Sequence, residues 1–287
     1  MDKLKETFST LPSFAWLSVF FLLPTIIICV FAFKPADIYG AIQKGWTLAT
    51  LSHLGNLYFY KLLWRSLWIS ISSTLICLLL AIPMGYQIAT SQPKWRHLML
   101  ILTVIPFWSS FLIRIYAWKT ILHPEGYFHQ ILATIGVISP TTPLLYTNFS
   151  VIIVMVYTFI PFAILPIYTS AVKFDFQLIE AAMDLGAARF KAIGKVFIPG
   201  IKKGILTAAL MVFIPAVGTY IIPDLVGGVN SDMIGNKIAQ KTFAERSIPE
   251  ASAIAMVLNL IILIPLGILL IYSRKTRSLE TINRSRE

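Results

Sequence analysis

The chain has 287 residues, of which 57% are hydrophobic and only 13% are charged. Soluble domains are about half apolar and about one-quarter charged, so this composition excludes an ordinary soluble protein and indicates an integral membrane protein. The formal net charge of +11 does not indicate nucleic-acid binding, because blocks of basic residues between apolar runs are what the positive-inside rule predicts for a membrane protein.

The predicted architecture is an all-α integral membrane protein with six transmembrane helices. Each apolar run is close to or above the length of about 20 residues that a helix needs to cross a bilayer. The first run is predicted to be an uncleaved span rather than a signal peptide, because it is long enough to cross and no small-x-small cleavage site follows it. The predicted spans are 14–33, 64–90, 98–122, 149–171, 204–224 and 250–272.

The distribution of basic residues predicts how the chain is oriented. The N-terminal segment, the turn 92–97, the loop 173–203 and the C-terminal tail together hold 15 of the 24 Lys and Arg residues, whereas the segments on the opposite side hold seven. The excess predicts that both termini and the loop 173–203 are cytoplasmic. A short amphipathic stretch near 127–138 is predicted to lie at the outer surface.

The loop 173–203 is a polar island between apolar runs, and its apolar residues are spaced for a short helix rather than for a span. Asp175 is predicted to cap this helix at its N-terminus, and Gly186 is predicted to end it in a left-handed conformation. The positions that recur at i, i+3, i+4 and i+7 on one face are Ile179, Ala182, Met183 and Gly186.

A second short helix is predicted to follow and to end at Pro199-Gly200. Lys191 and Lys195, four residues apart, lie on its polar side. The two helices are expected to meet at an angle on the membrane surface, where an ordinary amphipathic interfacial helix is the alternative interpretation. The apolar side of the second helix comprises Phe190, Ile193, Val196 and Phe197.

This loop resembles the EAA loop of ABC-importer permeases, in which Glu-Ala-Ala is followed by three residues, Gly, nine residues and Ile-x-Leu-Pro. Val196 and Ile198 depart from the pattern but keep its volume and apolarity. The resemblance implies a type I ABC-importer permease fold with a cytoplasmic coupling helix that docks on an ATPase subunit. The residues to which it assigns this role are Glu180, Ala181, Ala182, Asp184, Gly186, Val196, Ile198 and Pro199.

Other kinds of chemistry find no support in the sequence. It contains no G-x-x-x-x-G-K-[ST] and no H-E-x-x-H motif, so we expect no catalytic residues, no metal site and no cofactor in this chain. The scattered histidines are His53, His97, His123 and His129, and the two cysteines, Cys29 and Cys77, lie in apolar runs. The energy for transport is therefore expected from a partner ATPase that binds ATP and Mg²⁺.

Two further stretches resemble the permeases of spermidine/putrescine importers. They are Ile105-Pro106-Phe107-Trp108 with Leu112 to Tyr116, and Ile214 to Gly218 with Pro223 to Gly228 and Ile234-Gly235-Asn236. The likeness runs from about residue 60 to 270. It divides the chain into 1–60 (N-terminal segment, first span and external segment), a permease core 61–272 and a basic tail 273–287.

The resemblance also implies the partners of the chain and its place in the cell. These are two copies of a cytoplasmic ATPase subunit, a second homologous permease subunit and a periplasmic polyamine-binding protein, with the chain embedded in the lipid bilayer of a bacterial inner membrane. No nucleic-acid partner is expected.

A path for polyamines should offer carboxylates to the amines and aromatic faces to the cations and methylene stem. Asp224 is the acidic candidate, with pairing to Arg114 as the alternative, because an unpaired charge inside a membrane is costly. The aromatic candidates are Trp108, Tyr116, Tyr157 and Tyr220, for which an aromatic belt at the membrane interface is the alternative. Prolines that break helices where a cavity or gate could form are Pro106, Pro161, Pro166, Pro215 and Pro223.

Three functional hypotheses follow. The first is a polyamine ABC-importer permease, and the second is an ABC permease for another small solute. The third is a secondary transporter or a membrane enzyme. A secondary transporter should show inverted repeats and mid-membrane charges for ion coupling, and an enzyme should show a clustered catalytic set. Neither pattern is evident, and the coupling loop argues against this third class.

Overall fold

The structure, a computed structural model, describes residues 2–37, 40–139, 141–263 and 267. Apart from an isolated β-bridge between Ala36 and Ile42, the regular structure in these ranges is helical, which confirms the all-α prediction. The helices are α1 Asp2–Ala32, α2 Ala49–Ser52, α3 Leu57–Thr90, α4 Pro93–Val104, α5 Phe111–Ile121, α6 Tyr127–Thr134, α7 Asn148–Ala171, α8 Gln177–Asp184, α9 Arg189–Gly200, α10 Lys202–Gly218, α11 Ile221–Val226, α12 Ile234–Ala239 and α13 Ile248–Leu263.

Within the described ranges, three helices are long and apolar enough to cross a membrane by themselves: Leu11–Ala32 of α1, α3 and α7. The number rises to five if each of two sharply bent helix pairs counts as one span. The sixth predicted span, 250–272, begins within α13, but most of its second half lies outside the described residues.

The third predicted span, 98–122, differs from the uninterrupted helix that the sequence suggests. The segment Pro93–Trp108 meets Phe111–Ile121 at a bend of 93°. The bend follows a 3₁₀ turn that contains Pro106, and it occurs where Ser109 and Ser110 adopt extended backbone conformations. Ile105, which precedes the proline, keeps a helical conformation, so the bend lies after the 3₁₀ turn, at the two serines, and not at Pro106 itself.

The chain divides into two compact units, residues 61–236 and residues 1–60 with 237–287. In the first unit, α7 is the central helix and packs along α10. The contact is close because α10 presents Gly204 to α7. A β-carbon on Gly204 would lie 2.2 Å from Oγ of Ser170 and 2.9 Å from the backbone oxygen of Pro166. Small residues that let two backbones approach are a common basis of helix packing in membranes.

Gly204→Leu is expected to prevent the packing of α10 on α7, because a larger side chain has no space between the two backbones. We expect a destabilisation of more than about 3 kcal/mol, the scale of severe overpacking. The thermal stability of the detergent-purified protein would measure it. Gly218→Leu is the matched control, because it lies on the same helix and a β-carbon there would meet no atom within 4 Å; equal losses for both variants would contradict the packing argument.

The second unit contains a charge cluster after α12. Lys241 donates to the carboxylates of Glu245 and Glu250, the latter at 2.6 Å, and Lys237 lies 3.8 Å from Glu245. Burial alone would lower the pKa of Lys241, but the hydrogen bonds to both carboxylates outweigh it and raise the pKa above 10.5. The hydrogen bond from Lys241 lowers the pKa of Glu245 below its ordinary 4.5.

The lowered pKa predicts a local response to acid. The contribution of Glu245 to stability is complete above pH 4.5 and is lost as the pH falls through its lower folded-state pKa. Because the pair is partly exposed, we expect about a fivefold or smaller increase in local opening. Hydrogen exchange of the amides of residues 240–250 would measure it, and a Glu245→Gln variant with the same acid response would contradict the assignment.

Candidate functional site

The N-terminus of α8 is fixed by Asp175. Its carboxylate oxygen Oδ1 accepts a hydrogen bond of 3.0 Å from the backbone N–H of Gln177. The residue at the capping position itself is Phe176, whose side chain makes no capping bond. Asp175 therefore satisfies a free backbone donor of the first turn, as predicted, but acts from one position earlier than a standard N-cap.

The C-terminus of α8 is a Schellman motif. The N–H of Gly186 donates to the carbonyl oxygen of Met183 (2.9 Å), and the N–H of Ala187 donates to that of Ala182 (3.0 Å). Gly186 has φ of +85°, and a β-carbon on it would meet no atom within 4 Å. The predicted left-handed stop at Gly186 is confirmed, and the requirement for glycine comes from the backbone conformation rather than from space.

A π turn, Ile193–Phe197, interrupts α9 and changes which side chains face inward. Phe197 has no exposed surface, whereas the side chain of Phe190 is 90% exposed. The prediction that Phe190 shares the packed apolar side with Phe197 is therefore wrong. The reason is physical, because a π turn holds more residues than the α-helical turn on which that prediction was based. Gly200 ends α9, and α10 leaves at a bend of 74°, as Pro199-Gly200 predicted.

The inward side of the loop is occupied by the chain itself, where Ile179 and Phe197 are buried in the core of the unit. The outward side exposes several large apolar side chains, of which Leu185 and Phe190 are the most exposed, at 90% each. Glu180 and Asp184 are exposed on the same loop, and no ion pair within 4.0 Å involves either of them in the described part of the chain. We call Glu180, Asp184, Leu185 and Phe190 the loop surface.

On the predicted apolar face of α8, Ile179 is buried and Ala182 is half-buried against the protein, whereas Met183 and Gly186 are exposed. Large exposed apolar side chains beside carboxylates that form no ion pair among the described residues are typical of a protein-binding surface. The coupling-loop residues Ala181 and Pro199 are also exposed, while Ala182, Val196 and Ile198 are partly buried. The structure thus leaves much of the motif accessible to a partner.

Four aromatic rings lie beneath the loop. Phe174 and Phe176 precede α8, Phe197 lies in the π turn, and Tyr86 belongs to α3. The ring centroids of Tyr86 lie 5.1 Å from Phe197 and 5.8 Å from Phe176, and Phe174 lies 5.3 Å from Phe197. We call these four residues the ring cluster.

A membrane cavity of about 660 Å³ lies between α3, α4 and α7. Three prolines from predicted spans line it, namely Pro83, Pro106 and Pro161. Pro106 lies beside a helix break, but Pro161 and Pro166 lie inside the uninterrupted α7 and Pro215 lies inside α10, so the prediction that these three break helices is wrong. Tyr157 also lines it and contacts the ring of Trp118 at 5.4 Å. The rest of the wall is mostly apolar, and Gln87 and Thr103 add neutral polar side chains to it.

A second cavity, of about 620 Å³, lies where α5 meets α6, and we call it the Tyr116 groove. Tyr116 lines it with Tyr127 and Glu125, and Lys119 lines it too, with its ammonium 5.7 Å from the ring of Tyr146. Sequence reasoning missed Glu125, although it is the one acidic residue in the segment 123–148.

The remaining path candidates line neither of these two cavities. Trp108 is 83% exposed at the α4–α5 bend. Tyr220 lies in the break between α10 and α11, where its carbonyl oxygen accepts a hydrogen bond of 3.0 Å from Nδ2 of Asn236. Asp224 is exposed on α11. The structure therefore distributes the predicted aromatic and acidic residues over several places instead of one wall.

Arg114 and Asp224 lie on helices that pack together, α5 and α11. No ion pair within 4.0 Å joins them in the described residues. The guanidinium of Arg114 lies instead 5.3 Å from the ring of Phe107, and its buried Nε has no hydrogen-bond partner among the described groups. Their pairing stays a prediction.

The double-mutant cycle of Arg114→Ala and Asp224→Ala tests this pairing. If the side chains pair during the transport cycle, the two losses of thermal stability in the assembled transporter will be non-additive, by about 0.5–3 kcal/mol. Lys119→Ala, on the same helix as Arg114, should add to Asp224→Ala and serves as the control. Additive losses of stability in both cycles would show that Arg114 and Asp224 do not interact.

The described residues include no group of three or more His, Cys, Asp or Glu side chains that could hold a metal ion. No protein-family model matches the chain. Among solved structures, a bacterial ABC transporter involved in the import of the acidic polysaccharide alginate has a chain with a TM-score of 0.71 and 18% identity, over 96% of this chain and 99% of that one. This likeness and the apolar helices define the class, an all-helical membrane permease fold.

The spermidine/putrescine transport system permease protein PotB of Haemophilus influenzae is 34% identical over 267 residues, which cover 93% of this chain and 92% of that protein. The inner membrane ABC transporter permease protein YdcU of Escherichia coli is 26% identical over 77% of this chain and 74% of its own length. The chain belongs to the PotB family of ABC-importer permeases, which confirms the resemblance found in the sequence. It is a multi-pass permease of the inner membrane.

Proposed function

We propose that this chain is the permease subunit of an ATP-driven importer of polyamines such as spermidine and putrescine. The observation that carries the proposal is the 34% identity to PotB over more than nine-tenths of both chains. The permease core is proposed as residues 61–272, with 1–60 before it and the basic tail 273–287 after it. The full fold is proposed as a six-span type I importer permease with both termini in the cytoplasm.

The proposed coupling site is the loop surface. Its exposed Leu185 and Phe190 supply apolar anchors, and the exposed carboxylates of Glu180 and Asp184 offer partners to basic residues. The proposed occupant is a cytoplasmic ATPase subunit, with two copies in the complex. ATP and Mg²⁺ bind to that subunit, and this chain contributes no cofactor and no catalytic residue.

The proposed complex also contains a second, homologous permease and a periplasmic polyamine-binding protein. A solved alginate ABC transporter in complex with a pentasaccharide-bound periplasmic protein has a chain of related fold, with a TM-score of 0.69. That precedent supports delivery of the solute to the permease by a binding protein. It does not specify the solute.

The proposed path uses the two cavities. The Tyr116 groove combines aromatic rings with the carboxylate of Glu125, which suits an ammonium group, although the ammonium of Lys119 in the same groove opposes one. The membrane cavity offers apolar side chains for a methylene stem and Tyr157 with neutral acceptors for the amines. Trp108, Tyr220 and Asp224 remain candidates for contacts outside these cavities.

ATP hydrolysis in reconstituted vesicles tests the proposal. The chain is co-expressed with its neighbouring transporter genes, and binding protein loaded with spermidine, putrescine or an amino acid is added in turn. We expect stimulation only by the polyamine-loaded protein. Stimulation only by another loaded protein would keep the ABC mechanism and replace the cargo. A complex that never assembles with an ATPase would favour a secondary transporter.

A further inference from the structure

We propose that the ring cluster transmits movement of the coupling loop to the wall of the membrane cavity, with Tyr86 as the positioning residue that receives it. The inference rests on the proposed function, because it assumes that α8 and α9 dock on an ATPase. It adds the route by which that docking reaches the membrane helices.

The cluster connects both ends of the loop to one point on α3. Phe176 lies directly before α8, and Phe197 lies within α9, so the two helices cannot move without moving these rings. Both rings contact Tyr86 edge-on, with interplanar angles of 73° for Phe176 and 84° for Phe197. Edge-to-face contacts have a preferred geometry, so a displaced ring favours displacement of its neighbour.

The cluster is closely packed around Phe197 and Gly200, while Tyr86, Phe174 and Phe176 are half-buried. Phe197 is fully buried. Phe174 lies against the backbone of Gly200, where a β-carbon would come within 2.4 Å of the Phe174 ring. Close-packed interiors respond to a shift by moving together rather than by local compression. A movement of α9 is therefore passed on through the rings.

Tyr86 also belongs to the stretch of α3 that borders the membrane cavity. Met84 and Gln87, on either side of it in the chain, line this cavity. Pro83, one residue further back, also lines it and removes a helical hydrogen bond, which makes this turn of α3 a place where the helix can bend. Tyr86 does not itself line the cavity, so a displacement of its ring would reach the wall by moving the turn of α3 that carries these lining residues.

If the cluster is only structural, its disruption lowers assembly, ATP hydrolysis and transport together. If it transmits movement, its disruption lowers the amount of polyamine imported per ATP hydrolysed. The experiment therefore uses the complete complex in vesicles and measures polyamine imported per ATP hydrolysed, together with assembly and basal ATPase activity. Tyr86→Leu removes the ring, and Tyr86→Phe keeps it. Phe176→Leu provides a second break in the cluster at a half-buried position.

We expect Tyr86→Leu and Phe176→Leu to assemble and to hydrolyse ATP, with transport per ATP reduced at least about fivefold, the lower end of typical coupling between sites. Tyr86→Phe should retain the ratio. Phe162→Leu is the matched control, because its ring contacts Phe107 and Phe159 outside the cluster.

Suppose that the unsubstituted complex transports polyamine and that Tyr86→Leu and Phe176→Leu leave the transport per ATP unchanged. This result would overturn the inference and leave the proposed function intact. A loss of assembly in both variants but not in Phe162→Leu would also overturn it, because the cluster would then be structural. No uptake by the unsubstituted complex would overturn the proposed function, and the inference with it.

Discussion

Glu180→Lys is expected to abolish ATP-driven uptake while the chain remains folded and inserted. Glu180 is exposed and has no ion pair within 4.0 Å among the described residues, so its replacement breaks no ion pair among them. At the proposed interface, a lysine would place like charge against the basic residues that a carboxylate attracts. Such reversals cost several kcal/mol, and even about 2.8 kcal/mol weakens association roughly 100-fold.

Co-purification of the ATPase subunit and uptake into vesicles would measure this effect. Gln92→Lys is the control, because it adds a lysine to an exposed position in the other predicted cytoplasmic turn. Normal uptake and normal ATPase retention in Glu180→Lys would show that the loop surface is not the coupling site. A similar loss in Gln92→Lys would show that the effect comes from added charge alone.

Phe190→Ala is expected to release the ATPase without changing the stability of the chain. The phenyl ring is 90% exposed, so the fold gains almost nothing from it. A buried aromatic anchor at a protein interface commonly contributes about 2 kcal/mol or more, which corresponds to roughly a 30-fold weaker complex. Leu185→Ala should act in the same direction.

The affinity of the detergent-solubilised permease for its ATPase and its thermal stability would be measured side by side. Val229→Ala is the matched control, since Val229 is an apolar side chain of almost equal exposure in another segment. Should Phe190→Ala lower thermal stability with unchanged affinity, Phe190 would be a residue that supports the fold rather than the interface.

The features that the sequence predicted correctly have local causes. Gly186 lies where the apolar period of α8 stops, Asp175 precedes the same helix with a short acceptor side chain, and the pair Pro199-Gly200 lies where α9 ends. Span four was predicted as 149–171 and is observed as Asn148–Ala171, because its hydrophobic run is continuous and a capping box at Thr147 fixes its start. Signals of this kind act over a few residues.

The features that it did not predict depend on distant partners or on a small change of geometry. Tyr86 meets Phe197 across more than a hundred residues, and no periodicity encodes such a contact. The orientation of Phe190 depends on a π turn, which has no sequence signature of its own. The bend between α4 and α5 combines Pro106, which was recognised, with the extended conformations of Ser109 and Ser110, which were not.

Because of the π turn in α9, the number of residues in the coupling motif determines which side chains of the loop face outward. One residue rotates an α-helix by about 100°, so the number of residues between Phe190 and Phe197 sets the angle between the accessible side of the loop and its buried anchor. Gly194 lies in this turn with no atom near the place of a β-carbon. Deleting Gly194 would leave the composition of the loop almost unchanged but would rotate Phe190 away from its present direction. We therefore expect this family to tolerate substitutions in the π turn more readily than a change in its length.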